Sequence, residues 1–122
     1  MKIIRLDERE PVEAEGYRKL ILLDEEDLHS KGARVQIVTI QPGDTVADHY
    51  HERAREFYLV LQGRCELTVN GETSTLRRDD MLLMEPGDVH SLSNSGSVPF
   101  VVLVFKTNGE NDTHWSSPDI DS

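Results

Sequence analysis

Residues 43–63, GDTVADHYHERAREFYLVLQG, set two histidines, a glutamate and two bracketing glycines at the spacing G-x5-H-x-H-x4-E-x6-G. Side chains alternate faces along an extended strand, so His49 and His51 point the same way and Tyr50 the other. The spacer Glu52 to Arg55 is long enough for the chain to turn and return as a neighbouring strand, which lets Glu56 face the same point. Further on, PGDVHSLSN (86–94) offers His90 just after a Pro-Gly turn, where a strand can bring it beside the first three. Three neutral imidazoles and one carboxylate make a donor set for a divalent metal ion.

The flanking segments read as strands. In EFYLVL (56–61), Glu56, Tyr58 and Val60 share the metal side, which leaves Phe57, Leu59 and Leu61 to be covered from outside. ARVQIVTIQ (33–41) sets Val35, Ile37 and Thr39 on one face and Gln36, Val38 and Ile40 on the other. RCELTVN (64–70) meets Asn70-Gly71, a strong hairpin signal, and returns as ETSTLR (72–77). KIIRL (2–6) and YRKLILL (17–23) are expected strands, MLLMEPGDVH (81–90) a buried one with Met81 and Met84 as core filling, and VPFVVLVF (98–105) the last. The acidic run DEEDLHSKG (24–32) reads as a solvated connector with His29 exposed. From Thr107 the chain turns acidic and polar, with Trp115 its one large anchor and His114 a surface residue, so residues 1–106 are expected to form one domain and 107–122 a tail. About nine short strands separated by turns, with no convincing helix, give an all-β sandwich or barrel.

The first motif, Gly43, His49, His51, Glu56 and Gly63, resembles position for position the first conserved motif of the cupin superfamily. The second motif of that family, G-x5-P-x-G-x2-H-x3-N, is matched by Gly87, His90 and Asn94; Asp79 stands where its first glycine is expected, and Glu85 where its proline is, with Pro86 one place later. The departures fall on turns, not ligands. The resemblance spans residues 43–94 and implies a double-stranded, jelly-roll-like β-barrel holding one divalent transition metal per chain on His49, His51, Glu56 and His90.

A net charge of −10 opposes binding to nucleic acid or an anionic membrane surface, both of which need a basic footprint. No apolar run is long enough to span a bilayer and the amino terminus has no signal-peptide pattern, so a cytoplasmic location is the expectation. The single cysteine, Cys65, shares a face with Leu67 and Val69 and is expected to be a small buried residue without chemistry.

The donor set suits Fe, Mn, Ni, Co or Zn about equally, and leaves coordination positions open for a small-molecule ligand. Three uses follow: an oxygenase acting on an enediol or enolate acid with Glu56 as ligand and catalytic base, a sugar isomerase or epimerase using the ion as Lewis acid, or a non-catalytic binding module. Arg53 and Arg55, between the histidines and Glu56, are candidates to attract an anionic substrate, and Tyr58 is a candidate pocket wall. Protons should compete for the histidines below an ordinary pKa of about 6.5, so bound metal is expected to be lost between pH 7 and 5. The two strands that are apolar on both faces call for a second layer, and a homodimer supplies it.

Overall fold

Asn70 (φ 49°) and Gly71 (φ 87°) both take the left-handed backbone that a two-residue hairpin turn requires. They join β6 (Arg64–Val69) to β7 (Glu72–Arg77) with Val69 opposite Glu72. The computed structural model describes residues 1–115 of the chain, so 116–122 of the expected tail lie outside the described residues. The other strands are β1 (Val12–Ala14), β2 (Tyr17–Leu23), β3 (Arg34–Ile40), β4 (Thr45–His51), β5 (Arg55–Gln62), β8 (Met81–Met84), β9 (His90–Ser93), β10 (Phe100–Thr107) and β11 (Thr113–Trp115).

They form two antiparallel sheets, one ordered β1-β2-β3-β10-β5-β8 and the other β11-β4-β9-β6-β7. The fold is all-β and jelly-roll-like, two facing sheets whose edges no ladder joins among the described residues. Alternation fills the space between them with Ile40, Val46, Tyr58, Val60, Cys65, Leu67, Leu76, Met84, Leu92, Phe100, Val102 and Val104. Cys65 is fully buried there, and burial pushes its thiol up to about 12, which leaves it protonated and inert. None of the described helices is long and apolar enough to cross a membrane.

Four segments differ from the sequence expectations. KIIRL is not a strand: the chain makes a single 3-10 turn at Leu6–Glu8 with Ile3 and Leu6 exposed, because β1, turned tightly onto β2 through Gly16, occupies the sheet edge that KIIRL would need. The acidic connector contains one turn of α-helix, α1 (Glu25–Leu28), fixed by a reciprocal cap in which the Asp24 carboxylate accepts from the Glu26 and Asp27 N–H groups and the Asp27 carboxylate accepts from that of Asp24. In MLLM only Met84 and Leu82 face inward; Met81 is 59% and Leu83 57% exposed, since β8 is an edge strand and shows its other face to solvent. The stretch after Thr107 is in part sheet: β11 pairs with β4, Trp115 opposite His49, and so folds back onto the five-stranded sheet.

Candidate metal centre

β4 carries His49 and His51 on its inner face. β9 sets His90 directly opposite His49, and the turn at Glu52–Ala54 brings β5 back with Glu56 pointing inward. The three histidines and Glu56 are all buried, and the histidine ligand atoms lie within 4.8 Å of one another. Ring centroids are 4.1 Å apart for His49 and His90, 5.5 Å for His49 and His51, and 5.7 Å for His51 and His90. Glu56 Oε1 stands 2.9 Å from His51 Nε2 and 3.6 Å from His90 Nε2.

The hydrogen bonds fix which ring nitrogens can serve as ligands. His49 Nδ1 lies 2.8 Å from the Ala47 carbonyl, His51 Nδ1 3.1 Å from that of Asp112, and His90 Nδ1 2.9 Å from that of Asp88. A carbonyl can only accept, so each Nδ1–H donates and each neutral ring presents a bare Nε2 lone pair. His51 Nε2 and His90 Nε2 are buried with no hydrogen-bond partner, although Glu56 is close, because a lone pair facing a carboxylate oxygen makes no bond. A cation between them satisfies both, and the donor set therefore fits a divalent transition ion held by the three histidines.

Charge states favour the same use. Burial, and then the neighbouring His90, lowers His49 to about 4, and burial lowers His90. For Glu56, burial acts upward but is outweighed by the adjoining His51 ring, whose Nε2 can donate to Oε1 only once that ring is protonated in acid, and by Lys106, which together hold it at about 2. Tyr58, whose OH is 3.5 Å from Glu56 Oε1, is raised well above an ordinary phenol, first by burial and then by the Glu56 charge.

His49, His51 and Glu56 lie in the wall of a cavity of about 440 Å³, with His90 buried behind them. Tyr58 lines it. Arg53 and Arg55 do not: Arg53 donates to the Glu110 carbonyl and Arg55 to the Glu85 carboxylate, both at the surface, because Arg53 lies in the exposed turn and Arg55, the first residue of β5, takes the face opposite Glu56. The cavity takes its cations from Lys19, Arg34 and Lys106. Their signal in the sequence was alternation: Arg34 continues the row Gln36, Val38, and Lys106 continues the row Phe100, Val102, Val104, so each is a charge at the end of an inward-facing row.

Asp112 carried no signal of this kind. Its buried carboxylate accepts from the N–H groups of Glu52, Arg53 and Ala54 at 3.1, 2.7 and 2.9 Å, which shapes the turn between β4 and β5, while its carbonyl orients His51. Burial opposes the charge, but those three bonds hold the carboxyl at about 2. Trp115 covers one side of the cluster, its ring 4.9 Å from that of His49.

The cupin domain model matches residues 36–106, more than half of the chain. The chain belongs to the cupin family. It is 33% identical over 66 residues to the tetracenomycin polyketide synthase protein TcmJ of Streptomyces glaucescens, covering 54% of this chain and 44% of that one, so it spans less than half of that relative. Over 82 residues it is 30% identical to the oxalate-binding protein of Thermotoga maritima, covering 67% and 68%. The crystal structure of the polyketide cyclase RemF of Streptomyces resistomycificus superimposes with a TM-score of 0.82 over 98% of this chain and 89% of that one, at 18% identity, a likeness of fold.

The cupin motif residues outside the cluster are turn chemistry. Gly63 (φ 77°) passes so close to β10 that a Cβ would sit 2.6 Å from the Pro99 oxygen. Asp79, in place of a motif glycine, takes the left-handed conformation itself (φ 74°), which aspartate tolerates better than most residues. Buried Asn94 donates to the Ile40 and Val98 carbonyls and accepts from the Gly96 N–H. The cavity, by contrast, draws Lys19, Arg34, Asp112 and Trp115 from outside the matched segment.

Proposed function

We propose that this cupin is a divalent-metal-dependent enzyme acting on a small organic acid or enediol, of the dioxygenase-like kind, with His49, His51, His90 and Glu56 as the metal ligands. The observation that carries this reading is the convergence of unpartnered Nε2 lone pairs and an ionised carboxylate beside a cavity large enough for a small molecule. A divalent ion there supplies Lewis acidity and, if it is iron, electron exchange with oxygen. Glu56, kept as a carboxylate by Lys106 3.6 Å from Oε2, accepts a hydrogen bond from an acidic O–H held beside it and takes that proton only from a strongly acidic group. Trp115 and the apolar residues Val38, Val46, Leu92 and Val104 limit the water around the reacting atoms. Names among the relatives that refer to polyketide synthesis and to oxalate binding agree with an acidic or enolic ligand.

The isomerase reading is less favoured for a neutral sugar, to which three cations in the cavity are a poor match. Non-catalytic binding has support in the relative named for binding oxalate. Oxygen uptake separates these readings: the iron-loaded protein, offered a panel of enediol and enolate acids, should consume oxygen and the zinc-loaded protein should not. Absence of uptake with every acid that binds the iron form would leave a binding module. The outer face of the six-stranded sheet, with Leu61, Met81, Leu83 and Phe105 exposed, supports a homodimer.

A further inference from the structure

Lys19, Arg34 and Lys106 share the cavity with His49, His51 and Glu56. The ladder places Lys106 directly between Arg34 on β3 and Glu56 on β5. Like charges opposite one another in a sheet cost stability, so this row persists against its own repulsion. Only one of the three cations has a counter-ion at hand: Lys106 Nζ is 3.6 Å from Glu56 Oε2, whereas among the described residues Lys19 and Arg34 form no ion pair. An adjoining pocket of about 330 Å³ shares Arg34 and Lys106 and is lined by Asp24, Glu25, Glu26 and Glu110, but none of these carboxylates lies within 4.0 Å of either cation. The Lys19 ammonium is held below its ordinary pKa by burial and then by the charges of Arg34 and Lys106, which marks the three as neighbours. A chain of net charge −10 thus keeps an excess of positive charge at one internal point.

We propose that Lys19, Arg34 and Lys106 form an anion subsite beside the metal centre, and that the cavity takes an amphipathic organic acid whose carboxylate sits on these cations. The proposal deepens the metal-dependent reading and uses it to orient the ligand. Glu56 touches both groups, His51 through Oε1 and Lys106 through Oε2, so the subsite begins one carboxylate away from the cluster. A second polar end of the acid then faces the cluster while its body lies against the apolar wall of Val38, Val46, Leu92 and Val104 and the rings of Tyr17 and Trp115. At about 30 Å³ per water the cavity corresponds to roughly fifteen water molecules, room for a ring-sized body as well as for two polar ends. A neutral sugar would leave two cations without a counter-charge and press hydroxyls against an apolar wall.

Benzoate and benzamide share a shape and differ in charge, which makes them suitable probes. Calorimetric titration of the metal-loaded protein should give benzoate an affinity at least about tenfold above that of benzamide. The preference should fall to about one in K19Q/R34Q and survive in R34K, which keeps the charge, with metal content unchanged in both. Equal binding of the two probes by the parent protein overturns the subsite, as does a preference undiminished in the folded K19Q/R34Q variant, or failure of both probes to bind at millimolar concentration. Should K19Q/R34Q fail to fold, K19Q and R34Q are titrated singly, each expected to reduce the ratio. Parallel titration of the metal-free chain keeps the two proposals apart. A chain that takes up no metal yet prefers benzoate, and loses the preference in K19Q/R34Q, would retain the subsite and lose the metal reading; a metal-loaded chain with a ratio near one would do the reverse.

Discussion

Two of the three cluster histidines anchor their Nδ1–H on a carbonyl two residues back, Ala47 for His49 and Asp88 for His90. These bonds are local, which is why the spacing H-x-H and the Pro-Gly turn before His90 carried so much of the site. His51 takes its partner from Asp112, sixty-one residues away, and no spacing rule reaches that far. Burial also bears on the pH expectation for two of the three rings. Protons compete with a metal for the folded, metal-free rings, and with His49 lowered to about 4 and His90 also lowered, competition at these two begins below pH 6.5. Metal measured after equilibration and desalting should stay near one ion per chain at pH 5 and be lost as pH approaches 4; loss already complete at pH 6 would place the ion elsewhere. The metal-free chain should behave differently. Between about 6.5 and 4 the unfolded state binds a proton at His49 that the folded state refuses, so stability is full above pH 6.5 and falls as pH drops through that window, on the order of 3 kcal/mol for this group. Glu56, depressed to about 2, extends the loss below its ordinary value near 4.5. Urea unfolding of metal-free protein at pH 7, 5.5 and 4.5 reads this slope, and a flat profile would mean that His49 is solvated.

At the scale of elements, β11 and the row Arg34, Lys106, Glu56 give opposite expectations for stability. Asp112 enters the turn before β5 through three N–H bonds and His51 through its carbonyl. D112A leaves three turn N–H groups unsatisfied and should lower stability by about 1–3 kcal/mol while weakening metal binding about tenfold or more. Metal affinity measured at a temperature where the variant is folded separates the two effects, and an unchanged affinity would reduce Asp112 to a turn residue. R34Q removes a cation facing Lys106 and should stabilise the metal-free protein by about 0.2–1 kcal/mol at low salt. A loss of stability in thermal unfolding would mean that an unrecognised partner neutralises Arg34. These elements were unequally legible. Asn70-Gly71 specifies its hairpin with two residues. β11 has three residues and no alternation to announce it, and exists because β4 offers an open edge. KIIRL has strand composition but found its edge taken, and composition says nothing about which edges are free. Arg53 and Arg55 lay closer in sequence to the clustered His49, His51 and Glu56 than Arg34 and Lys106, yet it is the pleat, two residues per repeat, that decides what faces the cavity.

At the scale of the whole molecule, the sandwich was legible because many short strands with turns between them leave few packings, whereas what covers its outer surface depends on neighbours that one chain does not encode. The outer face of the six-stranded sheet holds two apolar rows set by the ladder, Leu83, Phe57, Phe105, Val35 and, one rung along, Met81, Leu59, Leu103, Ile37, Leu20. Two sources of cover within the chain fail among the described residues. The amino-terminal segment leaves its own Ile3 and Leu6 exposed, and Trp115 belongs to the other sheet. Self-association through this face buries both copies of the rows around a two-fold axis, and a stable interface needs about 800 Å² from each partner. Light scattering at micromolar concentration should therefore return twice the 13.9 kDa of one chain. Replacing Phe105 and Leu83 with glutamate sets charges in the middle and at the margin of the patch and should return a monomer that keeps its metal, because both side chains point away from the cavity. A mass near 13.9 kDa for the parent protein would mean that this face is left to water, and the dimer would be abandoned; a dimer that persists in F105E/L83E would move the contact to another surface.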